Sequence, residues 1–428
     1  MAFTDDDTGV LDREAQAALR AGNPRRAAQL WQMLLERAPG HGPALFGLAQ
    51  LRYREGALPE ARALLERLVA LDGRAKQQWI HLAVVCMAQG DAAAEEEAIR
   101  RALVIDPTDL VALILRAGFL TRQGKRHAAA RAHGAVAAVA PPLAQVPPEL
   151  RPAVQEALAY RDQYDAEFGQ FLDGHLAPLL GQLRGEGLGR FTESLDIMLG
   201  RKRRYDPQPA LFHFQGLAPV TFFPRRDFPW LDAFEAETEA IRAEFLATQA
   251  GADGFTPYIQ YGTDQPLRQW AELNNSLRWS AFHLIEAGKV NDANAARCPR
   301  TMALLAGAPQ PDQPGRTPVA MFSVLKPKTR IPPHCGVSNV RLVTHVPLVV
   351  PPGCGFRVGN DVRAWEEGRA WVFDDTIEHE AWNDGDAPRA ILMFDIWHPH
   401  LTGPERALVT ALSDGMNAFA QDEGGYGL

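Results

Sequence analysis

The chain is poor in cysteine and has no long apolar run. Its four cysteines, Cys86, Cys298, Cys335 and Cys354, are spread over 428 residues with no CxxC spacing. That excludes a zinc ribbon, a thioredoxin-type redox motif and a disulfide framework. Reduced thiols in a cytoplasmic protein are expected. No stretch of 18 or more apolar residues occurs, so no transmembrane helix is expected. The first residues, MAFTDDDTGV, are acidic and polar, and lack the basic and apolar regions of a signal peptide. Positive charge is also in deficit: 44 Lys and Arg against 52 Asp and Glu leave a formal net charge of −8. Non-specific nucleic-acid binding rests on clustered positive charge, and the one basic run, Arg201 to Arg204, reads as a solvated face. An amphipathic helix with a basic face, suited to a membrane surface, is missing too. So is a Ser-His-Asp or Cys-His pattern for nucleophilic catalysis. Neither nucleic acid nor membrane is an expected partner.

What is present is first a repeat. Gly22, Gly56, Gly90 and Gly124 are spaced 34 residues apart. Pro39, Gly73, Pro107 and Pro141 follow them at a constant offset, as do the small residues Ala27, Ala61 and Ala129, with Glu95 breaking the set. Four residues further on stand Trp31, Leu65, Ile99 and then His133. A 34-residue period with these marks is the tetratricopeptide signature, and it covers residues 10–142. Each repeat is expected to be a helix hairpin: Gly at the turn, Ala where the helices approach, Pro after the second helix. Stacked hairpins leave a concave surface that suits a peptide or protein.

The Pro-rich segment APPLAQVPPELRP ends the repeats, and residues 143–210 read as a helical linker region. One amphipathic helix follows Pro229, in WLDAFEAETEAIRAEFLAT. From about residue 319 the text changes to short apolar runs broken by Pro and Gly, which predicts an antiparallel sandwich or jelly roll. The fold class expected is α+β multidomain: an N-terminal α-helical solenoid, then a β-rich domain over 211–428.

Two of these runs carry charge on an otherwise apolar strand. In NVRLVTHVPLVV, period-2 alternation puts Arg341, Val343 and His345 on one face. In RAILMFDIW it puts Arg389, Ile391, Met393 and Asp395 together. A buried Arg needs an anionic partner, which a bound carboxylate would supply; the alternatives are snorkelling to the rim or pairing with a nearby acid. His334, in RIPPHCGVSN, sits where an iron triad would begin, but the position two residues on is Gly336 and not a carboxylate. His379 lies 45 residues later, with Asp374, Asp375 and Glu378 before it and Glu380 after. These acids read either as supports for a ligating imidazole or as rim charges.

The text HCGVSNVRLVTHVPLVVPPGCGFRVGN, then WEEGRAWVFDDTIEHEAWND and RAILMFDIWHP, resembles the aspartyl/asparaginyl β-hydroxylase family. The resemblance runs over about residues 255–402. It implies an iron(II)- and 2-oxoglutarate-dependent dioxygenase with a double-stranded β-helix core, a cupin-like jelly roll. It implies a two-histidine iron site in which His334 and His379 are the ligands and Gly336 replaces the usual carboxylate. It also implies that Arg389 pairs with the distal carboxylate of 2-oxoglutarate, that Ser323 supports that carboxylate, and that His345 lies near the cosubstrate's other end. Arg341 would stand on the substrate side, as would Trp279. Where the family pattern has a second arginine two before the histidine, this chain has Val343. The implied reaction consumes O₂ and hydroxylates a carbon of an Asp or Asn residue in a peptide or protein, with the repeats gripping the substrate. Relatives acting on lipid acyl chains or free amino acids keep the chemistry and change the substrate; a non-catalytic repeat scaffold is the non-enzymatic alternative. Cys335 is expected to point away from its neighbour, with no catalytic or ligating role.

Overall fold

The computed structural model describes residues 5–184, 187–251, 253–262 and 264–419. The backbone divides into two units, Met1–Arg190 and Phe191–Leu428.

The first unit is helical throughout. Its helices are α1 (Asp5–Arg20), α2 (Pro24–Arg37), α3 (Gly42–Arg54), α4 (Leu58–Leu71), α5 (Lys76–Gln89), α6 (Ala92–Ile105), α7 (Leu110–Arg122), α8 (Arg126–Val139) and α9 (Arg151–Gln182). The four periodic glycines end α1, α3, α5 and α7 with φ of +76°, +78°, +74° and +67°, a conformation that costs other residues energy. Ala27, Ala61 and Ala129 are fully buried between paired helices, as the repeat requires. Glu95, the exception, is buried as well and is neutralised by Arg122 of α7. Two of the helices start with an aspartate cap: Asp91 Oδ1 accepts from Ala94 N at 3.1 Å at the start of α6, and Asp109 Oδ1 from Ala112 N at 2.9 Å at the start of α7. Residues 143–210, expected as a linker, are shared between the two units. Helix α9 packs on α8 through Val154 and Ala157, which join the solenoid's core, and Tyr160 stacks on His133 at 4.3 Å.

The second unit begins with α10 (Gly189–Met198), which straddles the division, α11 (Leu231–Ala236) and α12 (Thr238–Ala250). The single helix expected after Pro229 is thus two. It breaks at Glu237, where Thr238 Oγ1 donates to the carbonyls of Phe234 and Glu235 (3.2 and 2.9 Å) and so competes with the helical ladder. Then come β1 (Phe255–Pro257), β2 (Trp279–Glu286), β3 (Lys289–Val290), α13 (Asp292–Ala295), α14 (Pro299–Leu305), β4 (Ala320–Leu325), β5 (Thr329–His334), β6 (Arg341–Val349), β7 (Cys354–Val358), β8 (Asp361–Arg363), β9 (Trp371–Phe373), β10 (His379–Asn383), β11 (Arg389–Trp397) and α15 (Gly403–Phe419). All strand pairs are antiparallel. One sheet has the order β1-β2-β4-β11-β6-β9, with β3 beside β2; the other has the order β5-β10-β7-β8.

Alternation along β11 divides the core. Ala390, Leu392, Phe394 and Ile396 pack outward against Phe234, Ile241 and Phe245 of α11 and α12. Ile391 faces the smaller sheet and meets Ile331, Phe356 and Ala381 across the gap. A large sheet covered by helices on one face and by a smaller sheet on the other is consistent with the expected jelly roll. No helix among the described residues is long and apolar enough to cross a membrane.

Candidate active site

The two expected ligand histidines meet because strand register demands it. Strand β5 ends on His334, β10 begins on His379, and the antiparallel ladder pairs these two residues directly. Their ring centroids are 4.1 Å apart. Each Nδ1 lies against a backbone carbonyl two residues back: Pro332 at 2.8 Å and Ile377 at 3.0 Å. A carbonyl only accepts, so each Nδ1 carries the proton and each Nε2 keeps its lone pair in the neutral ring. Burial holds both rings neutral. His334 is pushed down to about 3, with the neighbouring imidazole adding to the effect, and His379 is pushed down to about 4. The start of β10 is braced from β7. Arg357 donates through Nε to Glu380 and through Nη2 to Glu378 at 3.0 Å, gripping both neighbours of His379.

Gly336 is occupied space. A Cβ built on it would lie 2.2 Å from Asp375 Oδ2, and Gly336 N donates to the Asp375 carbonyl at 2.6 Å. The carboxylate missing from position 336 is therefore replaced in volume by that of Asp375, arriving from the loop before β10. Asp374 is turned elsewhere and caps Thr376, accepting from its N at 2.9 Å and its Oγ1 at 2.6 Å.

The two strand arginines have opposite fates. Arg389 is 1% exposed and pairs with no carboxylate among the described residues. Its Nε has no hydrogen-bond partner, Nη1 reaches only the Ser323 carbonyl at 3.5 Å, and the guanidinium carbon lies 4.8 Å from the Trp365 ring centroid. Burial pushes it down to about 10, so it still carries its charge at neutral pH. Arg341, expected on the substrate side, is paired with acids: Nη2 reaches Asp375 Oδ2 at 3.1 Å and Nη1 lies 3.9 Å from Asp395 Oδ2.

Around Arg389 the other expected residues assemble. Trp279 Nε1 donates to Ser323 Oγ at 3.1 Å. His345 is buried one strand away on β6, and its Nδ1 accepts from Trp365 Nε1 at 3.4 Å. Burial, then the charge of Arg389, lowers the His345 pKa well below the usual histidine range and keeps the ring neutral. Cys335 also lines the cavity, and burial pushes its thiol up to about 11, which disfavours the thiolate a nucleophile needs. All seven expected residues line one cavity of about 1250 Å³. Sequence reading missed Trp365 beneath Arg389, Arg357 beside His379, and the wall formed by Tyr258, stacked on Trp279 at 3.8 Å, and Trp270, 5.0 Å from His334.

Residues 235–399 match the model of the Aspartyl/Asparaginyl beta-hydroxylase family, and residues 13–77 and 60–109 match the tetratricopeptide repeat model. The chain carries an aspartyl/asparaginyl beta-hydroxylase domain behind tetratricopeptide repeats. The Homo sapiens aspartyl/asparaginyl beta-hydroxylase is 32% identical over 222 residues, which are 50% of this chain and 28% of that protein. The aspartate beta-hydroxylase domain-containing protein 2 of Rattus norvegicus is 31% identical over 235 residues, 51% of this chain and 64% of that one. The ornithine lipid ester-linked acyl 2-hydroxylase of Rhizobium tropici is 35% identical over 188 residues, 43% and 63%. The chain thus spans less than two thirds of each of these relatives. Within the hydroxylase domain, the histidine pair, Arg389 and the aromatic wall all fall inside the matched segment.

Proposed function

We propose that the hydroxylase domain is an iron(II)- and 2-oxoglutarate-dependent dioxygenase acting on a side-chain carbon, Cβ of an Asp or Asn residue in a peptide or protein. One observation carries the reading: a fully buried guanidinium without an acid shares a cavity with two neutral imidazoles whose Nε2 lone pairs are free. A buried cation alone is costly, and a dicarboxylate relieves it. His334 and His379 would hold the metal. No group of three or more His, Cys, Asp or Glu placed to bind a metal occurs among the described residues, so the chain would give two ligands and leave the remaining positions to small molecules. The chemistry supplied by bound iron is activation of O₂ against 2-oxoglutarate, with succinate and CO₂ as coproducts and one oxygen atom for a C–H bond. The chain's own work is placement. Arg389 and the Ser323 hydroxyl take the distal carboxylate, a task suited to a guanidinium fork. His345, held neutral, offers a polar edge without a competing charge. Trp279, Tyr258 and Trp270 keep water from the histidine pair. The Nδ1 hydrogen bonds to Pro332 and Ile377 fix both imidazoles as ligands.

The repeats argue for a peptide or protein substrate held by the solenoid, and the four free thiols agree with a cytoplasmic setting. The Rhizobium tropici relative supports a second reading, the same chemistry on an acyl chain or small molecule. Incubation with iron, ascorbate and 2-oxoglutarate against a cellular peptide pool tests the choice. A mass gain of one oxygen atom on Asp or Asn is expected; oxygen appearing only on extracted lipid would select the second reading.

A further inference from the structure

One cation in the cavity wall has no part in the proposed chemistry. Four arginines line the cavity: Arg268, Arg316, Arg341 and Arg389. Arg268 is exposed, Arg341 is paired with acids, and Arg389 faces the cosubstrate. Arg316 remains. Its Nε, Nη1 and Nη2 are all shut from solvent, and none has a hydrogen-bond partner. No other arginine among the described residues has all three nitrogens in that state. The acids that line the cavity are Glu286, Asp375 and Asp395, and none of them accepts from Arg316. Asp375 Oδ2 accepts from Arg341 at 3.1 Å. Asp395 Oδ1 accepts from Val319 N at 2.8 Å, while its Oδ2 accepts from nothing. Glu286 is exposed and lies 4.0 Å from His283. The backbone at Arg316 is firmly held. Arg316 N and Thr317 N donate to the Gln313 carbonyl at 3.1 and 3.0 Å, and Gln313 N donates to Thr317 Oγ1 at 3.0 Å, which closes a turn. Helix α15 grips that turn: Ser413 Oγ donates to Gln313 Oε1 at 3.1 Å, and Asn417 Nδ2 to the Pro314 carbonyl at 2.6 Å.

A guanidinium without acceptors, closed off from water, is costly, and a carboxylate that matches its fork relieves the cost. Since Arg316 makes no side-chain hydrogen bonds, nothing polar holds it back from turning toward a ligand in the cavity. The cosubstrate has no group left for it: under the reading above, its distal carboxylate goes to Arg389 and its other end to the histidine pair. Arg389 also stands at the far end of β11. Val319, three residues after Arg316, bonds to Asp395, which lies six residues from Arg389, about 20 Å along the strand. What remains to meet Arg316 is the substrate. We propose that Arg316 is a specificity-determining residue that receives a carboxylate of the peptide substrate. The inference rests on the dioxygenase reading and narrows its substrate to a peptide bearing an acid, either the reacting Asp itself or an acidic neighbour of the reacting residue.

The test uses the full chain with iron(II) and 2-oxoglutarate and three degenerate peptide pools: central Asn among neutral residues, central Asp among neutral residues, and central Asn with acidic neighbours. Binding is measured without O₂ by fluorescence anisotropy; succinate and oxygenated peptide are measured once O₂ is admitted. At least one acid-bearing pool should bind and be oxygenated about tenfold better than the acid-free pool, the effect of one charge-assisted hydrogen bond. Preference for the central-Asp pool assigns the carboxylate to the reacting residue, and preference for the flanked pool assigns it to a neighbour. In Arg316→Gln the preference should disappear. A preference that persists in the folded variant overturns the proposal. So does an acid-free pool that does as well as the others, and so does succinate with no oxygenated peptide from any pool. No succinate under any condition removes the dioxygenase reading, and the subsite with it. Arg316→Met gives a readout independent of turnover. Without peptide it exchanges an unpaired buried cation for an apolar side chain, so the melting temperature should not fall. A marked fall would mean that the fold already gives Arg316 a partner, and overturns the proposal. Should Arg316→Gln fail to fold, Arg316→Met takes its place with the pools.

Discussion

Gly336 shows how one residue fixes a site. Its missing side chain is the volume that Asp375 fills, so Gly336→Ala places a methyl 2.2 Å from a carboxylate oxygen. Overpacking of this kind costs about 1–3 kcal/mol, and chemical denaturation should show a loss in that range. An unchanged midpoint would mean that Asp375 moves aside freely. The histidines give a pH prediction with a definite sign. Both start from the ordinary value 6.5 and are lowered in the fold, His334 to about 3 and His379 to about 4. As pH falls from 6.5 to about 4, the unfolded chain binds two protons that the folded metal-free protein refuses, so stability is lost across that window; above it neither state is protonated and the pair contributes nothing. Asp374 and Asp395, raised to about 6, act in the opposite sense, because there the folded state takes the protons. Comparison with the double variant His334→Gln/His379→Gln cancels their effect. The variant should lose less stability between pH 7 and pH 5 than the unaltered protein, and an equal loss would contradict the assignment of neutral buried rings. At this scale His334, Gly336 and His379 were legible in the motif. The pairing of Arg341 was legible only as one of several options, because strand alternation tells which face a side chain takes and not which acid from a distant loop meets it.

Strands and helices explain why the legible residues converge. His334 and His379 end two strands that pair in register, so 45 residues of sequence close to a single ladder rung. Alternation in β6 and β11 was readable, and it placed Arg341, Val343, His345, Arg389 and Asp395 on the cavity side. The brace across β7 and β10 was not, because the partners of Arg357 come from register that local pattern does not encode. Arg357→Gln removes the grip on Glu378 and Glu380, with an expected loss of about 1–3 kcal/mol. Metal titration followed by tryptophan fluorescence should show weakened binding at temperatures where the variant is fully folded. Unchanged affinity would reduce Arg357 to a sheet contact. In the repeats, Glu95 replaces the small residue of its three counterparts and depends on Arg122 of α7. Arg122→Ala strands a buried carboxylate and should lower the melting temperature more than Glu95→Ala, which restores the repeat's own pattern. The reverse order would contradict the pairing. The break at Glu237 escaped the helical period, since the Thr238 hydroxyl acts locally and leaves no mark on amphipathicity.

Across the whole molecule, two units were readable from period alone, 34 residues in one and short alternating strands in the other, while the fate of residues 143–210 depended on packing that period does not show. The proposed chemistry belongs to the second unit, whose cavity holds Arg389, with no acid paired to it among the described residues, and the facing imidazoles of His334 and His379. Adding 2-oxoglutarate should raise the melting temperature of the unaltered protein by compensating Arg389, and should do so far less in Arg389→Gln, where no buried charge awaits it; equal shifts would move the cosubstrate elsewhere. The central claim is tested most directly by succinate formation from 2-oxoglutarate with iron(II) and O₂, measured side by side for the unaltered protein and His379→Ala. The account predicts succinate that requires iron and 2-oxoglutarate and is abolished in the variant. Succinate formed at the same rate by His379→Ala would contradict it.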